Sequence, residues 1–148
     1  MTAQVPETLI HNGTEYALCV EPLNKYIKQQ RPDIRFAWND TSCWRGYEGT
    51  WEIKDGKLYL VDLVGCLRGD KQYPPNDPDL FAKLFPDSVG TGLFADWFTG
   101  QLRCPFGEML EYVHAAYAST FEHELLIDIS NGVVVGEEVK DCVALPGY

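Results

Sequence analysis

Of the 148 residues, 45% are hydrophobic, 13% aromatic and 23% charged, which is apolar enough to close a core and too mixed for a disordered or membrane-embedded chain. The 22 acidic residues against 12 basic ones give a formal charge of −10, a sign that repels nucleic-acid phosphates and suits solubility or a basic protein partner. No apolar run approaches spanning length, no basic-then-apolar leader is visible, and five cysteines stand singly without a Cys-x-x-Cys, so a cytoplasmic protein with free thiols, away from membranes, is expected.

In chain order, residues 8–11 and 14–18 flank Asn12-Gly13, a strong two-residue hairpin signal. From Pro22, the spacing of Leu23, Tyr26 and Ile27 predicts a two-turn helix that Pro32 ends. Ile34, Phe36 and Trp38 then alternate with Arg35 and Ala37 as in a strand. The stretch from Cys43 to Gly65 has the densest aromatic and β-branched content, with Asp55-Gly56 at its middle, and reads as a long hairpin. A two-residue turn there sets Ile53 opposite Leu58, Trp51 opposite Leu60 and Glu52 opposite Tyr59, leaving Lys54 beside Lys57, whereas a turn over residues 54–56 with Gly56 as a bulge shifts the register by one and places Trp51 and Ile53 on a face with Tyr59 and Val61; the first segregates polarity better and is preferred. Its second strand, nearly continuous in apolar residues, is expected to be central and covered on both faces.

Gly69, Pro74 and Pro75 mark a loop before Asp77-Pro78-Asp79 opens a second short helix, which carries Leu80, Phe81, Leu84 and Phe85 on one stripe and stops at Pro86. Residues 93–104 read as a strand interrupted at Gly100, and Pro105-Phe106-Gly107 as a further reversal of the chain. Residues 109–118 alternate as a strand that continues into residues 121–125, although the alanines suit a helix equally well. Residues 125–129 and 133–135 flank Asn131-Gly132 as a third hairpin, followed by a polar tail. The expected fold is a single α+β domain over residues 1–148, mainly antiparallel β, a curled sheet or partly open barrel built of hairpins with two short helices, and with residues 1–6 and 143–148 as flexible tails.

Two passages, residues 46–60 (Gly-Tyr-Glu-Gly-Thr-Trp-Glu-Ile-Lys-Asp-Gly-Lys-Leu-Tyr-Leu) and residues 95–102 (Ala-Asp-Trp-Phe-Thr-Gly-Gln-Leu) with the later Glu111-Tyr112-Val113-His114, resemble segments of small uncharacterised bacterial single-domain proteins. The resemblance implies a bacterial cytosolic protein and carries no reaction, ligand or residue role.

The three histidines, His11, His114 and His123, match no short metal motif, and on a strand Glu122 and Glu124 point away from His123. Cys104 could meet His114 across residues 105–107, and Cys43 lies beside Arg45, yet neither carries a thiol-enzyme signature. Gly90-Thr91-Gly92-Leu93-Phe94-Ala95 matches a dinucleotide fingerprint in letters but follows a helix rather than a strand. No metal and no cofactor are therefore expected. Aromatic bulk with a polar handle or charge is found in Trp44, Arg45 and Tyr47, entering the long hairpin, and in Asp96, Trp97 and Arg103; such residues anchor interfaces. The reading that follows is a non-enzymatic acidic protein that docks a protein partner of basic character through this patch, as an adaptor or toxin-neutralising protein does, with homodimerisation as another use of the face. The alternative is a small-ligand-binding protein or enzyme whose pocket in the curved sheet is lined by Tyr59, Trp97 and Tyr112, with Arg45, Asp96 or His114 as polar groups.

Overall fold

Three tight turns shape the chain, and all are of the kind that needs a positive φ at both central residues. Asn12-Gly13, Asp55-Gly56 and Asn131-Gly132 have φ of 52° and 77°, 51° and 71°, and 48° and 82°; asparagine, aspartate and glycine tolerate this region, and its twist matches that of the flanking strands. The computed structural model describes residues 6–34, 36, 47–65, 79–111 and 120–141. The turns join β1 (Glu7–His11) to β2 (Thr14–Leu18), β3 (Tyr47–Lys54) to β4 (Lys57–Gly65), and β7 (Thr120–Ser130) to β8 (Val133–Asp141). A two-residue strand, β5 (Leu93–Phe94), pairs with β4, and β6 (Gly100–Glu111) pairs with β7.

In the central hairpin the expected register holds, with Trp51 opposite Leu60, Glu52 opposite Tyr59 and Ile53 opposite Leu58. Lys54 and Lys57 do stand opposite each other, but each ammonium turns to an aromatic ring, Lys54 over Tyr59 at 4.9 Å and Lys57 over Phe94 at 5.8 Å. Cation–π contacts thus separate two like charges that the turn brings together. Beyond Trp51 the register shifts so that Thr50 faces Asp62. This bulge carries the buried face of β4 from Leu58 and Leu60 to Leu63 and Gly65, so one strand keeps a single core face despite a break in its alternation.

The strands form one mixed sheet in the order β2-β1-β3-β4-β8-β7-β6. All pairings are antiparallel except β1 with β3, which is parallel. The sheet is therefore not made of hairpins alone, because a parallel pair needs a crossover, and helix α1 (Leu23–Gln30) lies in that connection. The sheet curls without closing: at its two outer strands the Cys19 N–H donates to the Arg103 carbonyl at 2.9 Å, and the Tyr16 and Phe106 rings meet at 5.8 Å. Inside lie Leu9, Trp51, Leu60, Leu102 and Ile127, all fully buried. Leu23 of α1, and Leu80 and Phe81 of the second helix, α2 (Leu80–Leu84), join the same cluster, each burial worth about 1.5–3 kcal/mol. Among the described residues no helix is long and apolar enough to cross a membrane.

Several expectations are corrected. Residues 93–104 are two strands separated by a turn, in which the Phe98 N–H donates to the Ala95 carbonyl at 3.1 Å. Pro105-Phe106-Gly107 does not reverse the chain: Pro105 faces Glu124 and Phe106 faces His123 within β6. Proline is tolerated there because β6 is an outer strand that needs no donor on its free side, and Gly107, at φ 86°, sits where the register becomes irregular. The polar residues after Val135 form strand rather than tail, as far as Asp141. Of the predicted strand over 34–38, Ile34 is buried and Phe36 forms a single bridge. Residues 109–111 belong to β6, while 112–118, 77–78 and the tail ends lie outside the described residues.

Candidate functional site

Tyr47 opens β3 on its buried face and donates its phenol proton to Asn24 Oδ1 of α1 at 2.5 Å. Trp97, in the turn after β5, donates its indole N–H to the Pro22 carbonyl at 2.8 Å, while its ring lies 4.5 Å from that of Tyr26 and 6.4 Å from that of Trp51. The first turn of α1 has no side-chain cap, so these two handles fasten it to the sheet. Tyr47 and Trp97 thus both hold α1, one at Asn24 and the other at Pro22, and their polar handles are used within the fold.

Of the other predicted residues, Asp96 and Arg103 do not join them. Asp96 is exposed next to Trp97. Arg103 pairs with Glu124 on the opposite face of β6 from the buried Leu102 and Cys104. Trp44 and Arg45 lie outside the described residues. The alternative pocket loses two of its walls to opposite sides of the sheet: Tyr59 stacks on Phe94 at 5.7 Å, on the face away from Leu60, whereas Trp97 packs against Trp51 on Leu60's side. Tyr112, His114 and Arg45 lie outside the described residues.

Cys104 is buried, and burial pushes its thiol up to about 12. Burial likewise raises Cys19 to about 11, opposed by the nearby Arg103 and reinforced by Glu124. Thiols held protonated in this way are poor nucleophiles at neutral pH. Among the described residues no group of three His, Cys, Asp or Glu side chains is placed to hold a metal.

Two features escaped the sequence reading. The first is Glu7, 1% exposed, whose carboxylate accepts the Gly49 backbone N–H and the Trp51 indole N–H, both at 2.9 Å. A Cβ on residue 49 would stand 2.9 Å from Glu7 Oε1 and 3.0 Å from Trp51 Nε1, so glycine makes room for the acid. Beside Glu7 an open depression of about 400 Å3 carries Thr8, Glu15, Tyr16 and Glu48 on its walls. The available signal was periodic: Glu7 and His11 share the inner face of β1 with Leu9, and a charged residue at a core position asks for partners.

The second is the far half of β8. Its side chains from Glu137 to Asp141 are all exposed, on both faces. His11 Nε2 lies 3.1 Å from a Glu137 carboxylate oxygen and His123 Nδ1 2.8 Å from one of Asp141, and His11 Nδ1 is buried without a hydrogen-bond partner among the described residues. Val133, Val135 and Val139 are 40%, 65% and 58% exposed. Against protein-family models, curated proteins and solved structures, the chain returns no match.

Proposed function

We propose that this chain is a non-enzymatic binding protein of the bacterial cytoplasm that docks a basic protein partner, in the manner of an adaptor or toxin-neutralising protein, and that it does so through β8. The observation that carries this reading is the company of Val133, Val135 and Val139 with Glu137, Glu138 and Asp141 on one exposed strand. Single exposed valines are ordinary, but three along one strand, interleaved with acids and shared between its two faces on a chain of charge −10, combine apolar contact with long-range attraction for a cationic segment. Tyr47 and Trp97 use their polar handles on α1, which supports β8 rather than the aromatic residues as the docking surface.

The test is retention from a native lysate on immobilised protein, compared with a Val135→Lys, Val139→Lys variant, at low and raised salt. A partner held by the native chain, lost from the variant and weakened by salt is expected. Equal retention by both chains refutes β8 as the surface, and no partner at any salt refutes the binding reading.

A further inference from the structure

We infer that β8 takes its partner by strand addition: an extended basic segment of the other protein pairs with the outer edge of β8 over residues 135–141. This deepens the proposed binding function and rests on it.

One edge of β8 is paired with β7 along its length, from Ser130 with Val133 to His123 with Asp141. The other edge meets β4 at a single position, Lys57 with Val133, reinforced by the Val134 N–H donating to the Gly56 carbonyl at 2.8 Å. Past Val134, no strand among the described residues pairs with that edge. Its alternate backbone N–H and C=O groups form a template that an extended peptide can continue. At about 3.4 Å per residue, the free stretch runs for more than 20 Å, the length of an ordinary strand.

Charge selects the occupant. Edges are commonly guarded by lysine; here Glu137, Glu138 and Asp141 stand against the one ammonium of Lys140, and although Glu137 and Asp141 already meet the rings of His11 and His123, the carboxylates still leave this edge acidic. Glu137 lies on the face of Ile127 and Glu138 on that of Leu126, so both faces of the added strand meet an acid. Glu138 makes no hydrogen bond or ion pair among the described residues. A second copy fits poorly, since the register that sets Val135 against the copy's Val139 places Glu137 against its own copy, and like charges directly opposite are unfavourable. The partner segment therefore carries Lys or Arg beside Glu137 and Glu138, and a β-branched residue beside Val139.

The probe is an eleven-residue peptide of alternating lysine and valine, with a version of equal charge broken by two central prolines. Amide hydrogen exchange of the full chain and fluorescence anisotropy of the labelled peptide are the readouts. Expected are at least tenfold slower exchange confined to residues 135–141, at least tenfold weaker binding of the proline peptide, and a similar loss in the Glu137→Lys, Glu138→Lys variant. Equal binding of the two peptides, protection elsewhere, or no binding at millimolar peptide overturns strand addition. The parent reading fails separately: a partner retained from lysate that leaves β8 exchange unchanged removes strand addition alone, whereas an empty lysate experiment removes the binding function itself.

Discussion

Replacing Glu7 by glutamine probes the buried acid with almost no change of shape. Both carboxylate oxygens accept an N–H, one from Gly49 and one from Trp51, each at 2.9 Å. In the amide, one oxygen becomes an NH2 group, so whichever way the side chain is placed, a donor faces a donor. One hydrogen bond to a charged group is lost, about 1.5–3 kcal/mol, and a buried N–H is left facing the wrong partner, about 1–3 kcal/mol. The sum, discounted for relaxation, is roughly 2–4 kcal/mol, or a fall in Tm of roughly 5–15 °C for a domain of this size. Urea unfolding followed by tryptophan fluorescence measures it, with an unchanged m-value indicating that the unfolded state is unaltered. Trp51→Phe removes one of the two donors, and the double variant is expected to be less destabilised than the sum of the single variants by about 1 kcal/mol or more. A Glu7→Gln protein within about 0.5 kcal/mol of the native chain, the range of an ordinary surface change, would show that the carboxylate is not holding β3 in place.

Gly132→Ala should be strongly destabilising, by about 2 kcal/mol or more, because the residue has φ 82° and its added Cβ would stand 2.7 Å from both the Ala95 carbonyl oxygen and the Phe94 ring; faster exchange of the Leu58 and Val134 amides, which bond across this junction, reports the undocking. Tyr47→Phe loses the Asn24 bond at 2.5 Å and is expected to cost about 1 kcal/mol, read as faster exchange in α1 with little change in β7. Cys104 should resist thiol reagents at pH 8 until the chain unfolds, as mass spectrometry after a timed quench can show. Its thiol rises from 9.0 to about 12 on folding, so the unfolded chain holds fewer protons between those values and stability falls as pH climbs from 9 to 12. Cys104→Ala should flatten that fall, and an identical alkaline slope in the two proteins would refute the burial argument.

How much was legible follows the range of the forces. Asn12-Gly13, Asp55-Gly56 and Asn131-Gly132 announced their turns because positive φ is a property of the residues themselves, and the register of Trp51 with Leu60 followed from the turn length. Helix α1 was readable from Pro22 and its apolar spacing. Pro105 and Gly107 misled, because the same local preferences serve a reversal and a bulged outer strand equally, and only the neighbours of β6 distinguish them. The parallel pairing of β1 with β3 joins segments about forty residues apart, with no local signature at all.

The sequence by itself determined the three two-residue turns, the register of the central hairpin and the negative net charge of the chain, since these depend on side-chain chemistry and on dihedral preferences that act within a few residues. Only the tertiary structure decided what each polar handle meets. It turned Tyr47 and Trp97 onto α1, gave the carboxylate of Glu7 two buried donors, and left the far half of β8 without a second strand neighbour among the described residues. Partners of that kind are set by three-dimensional neighbours, and a residue type states the need for a hydrogen bond or a contact without naming which distant segment supplies it.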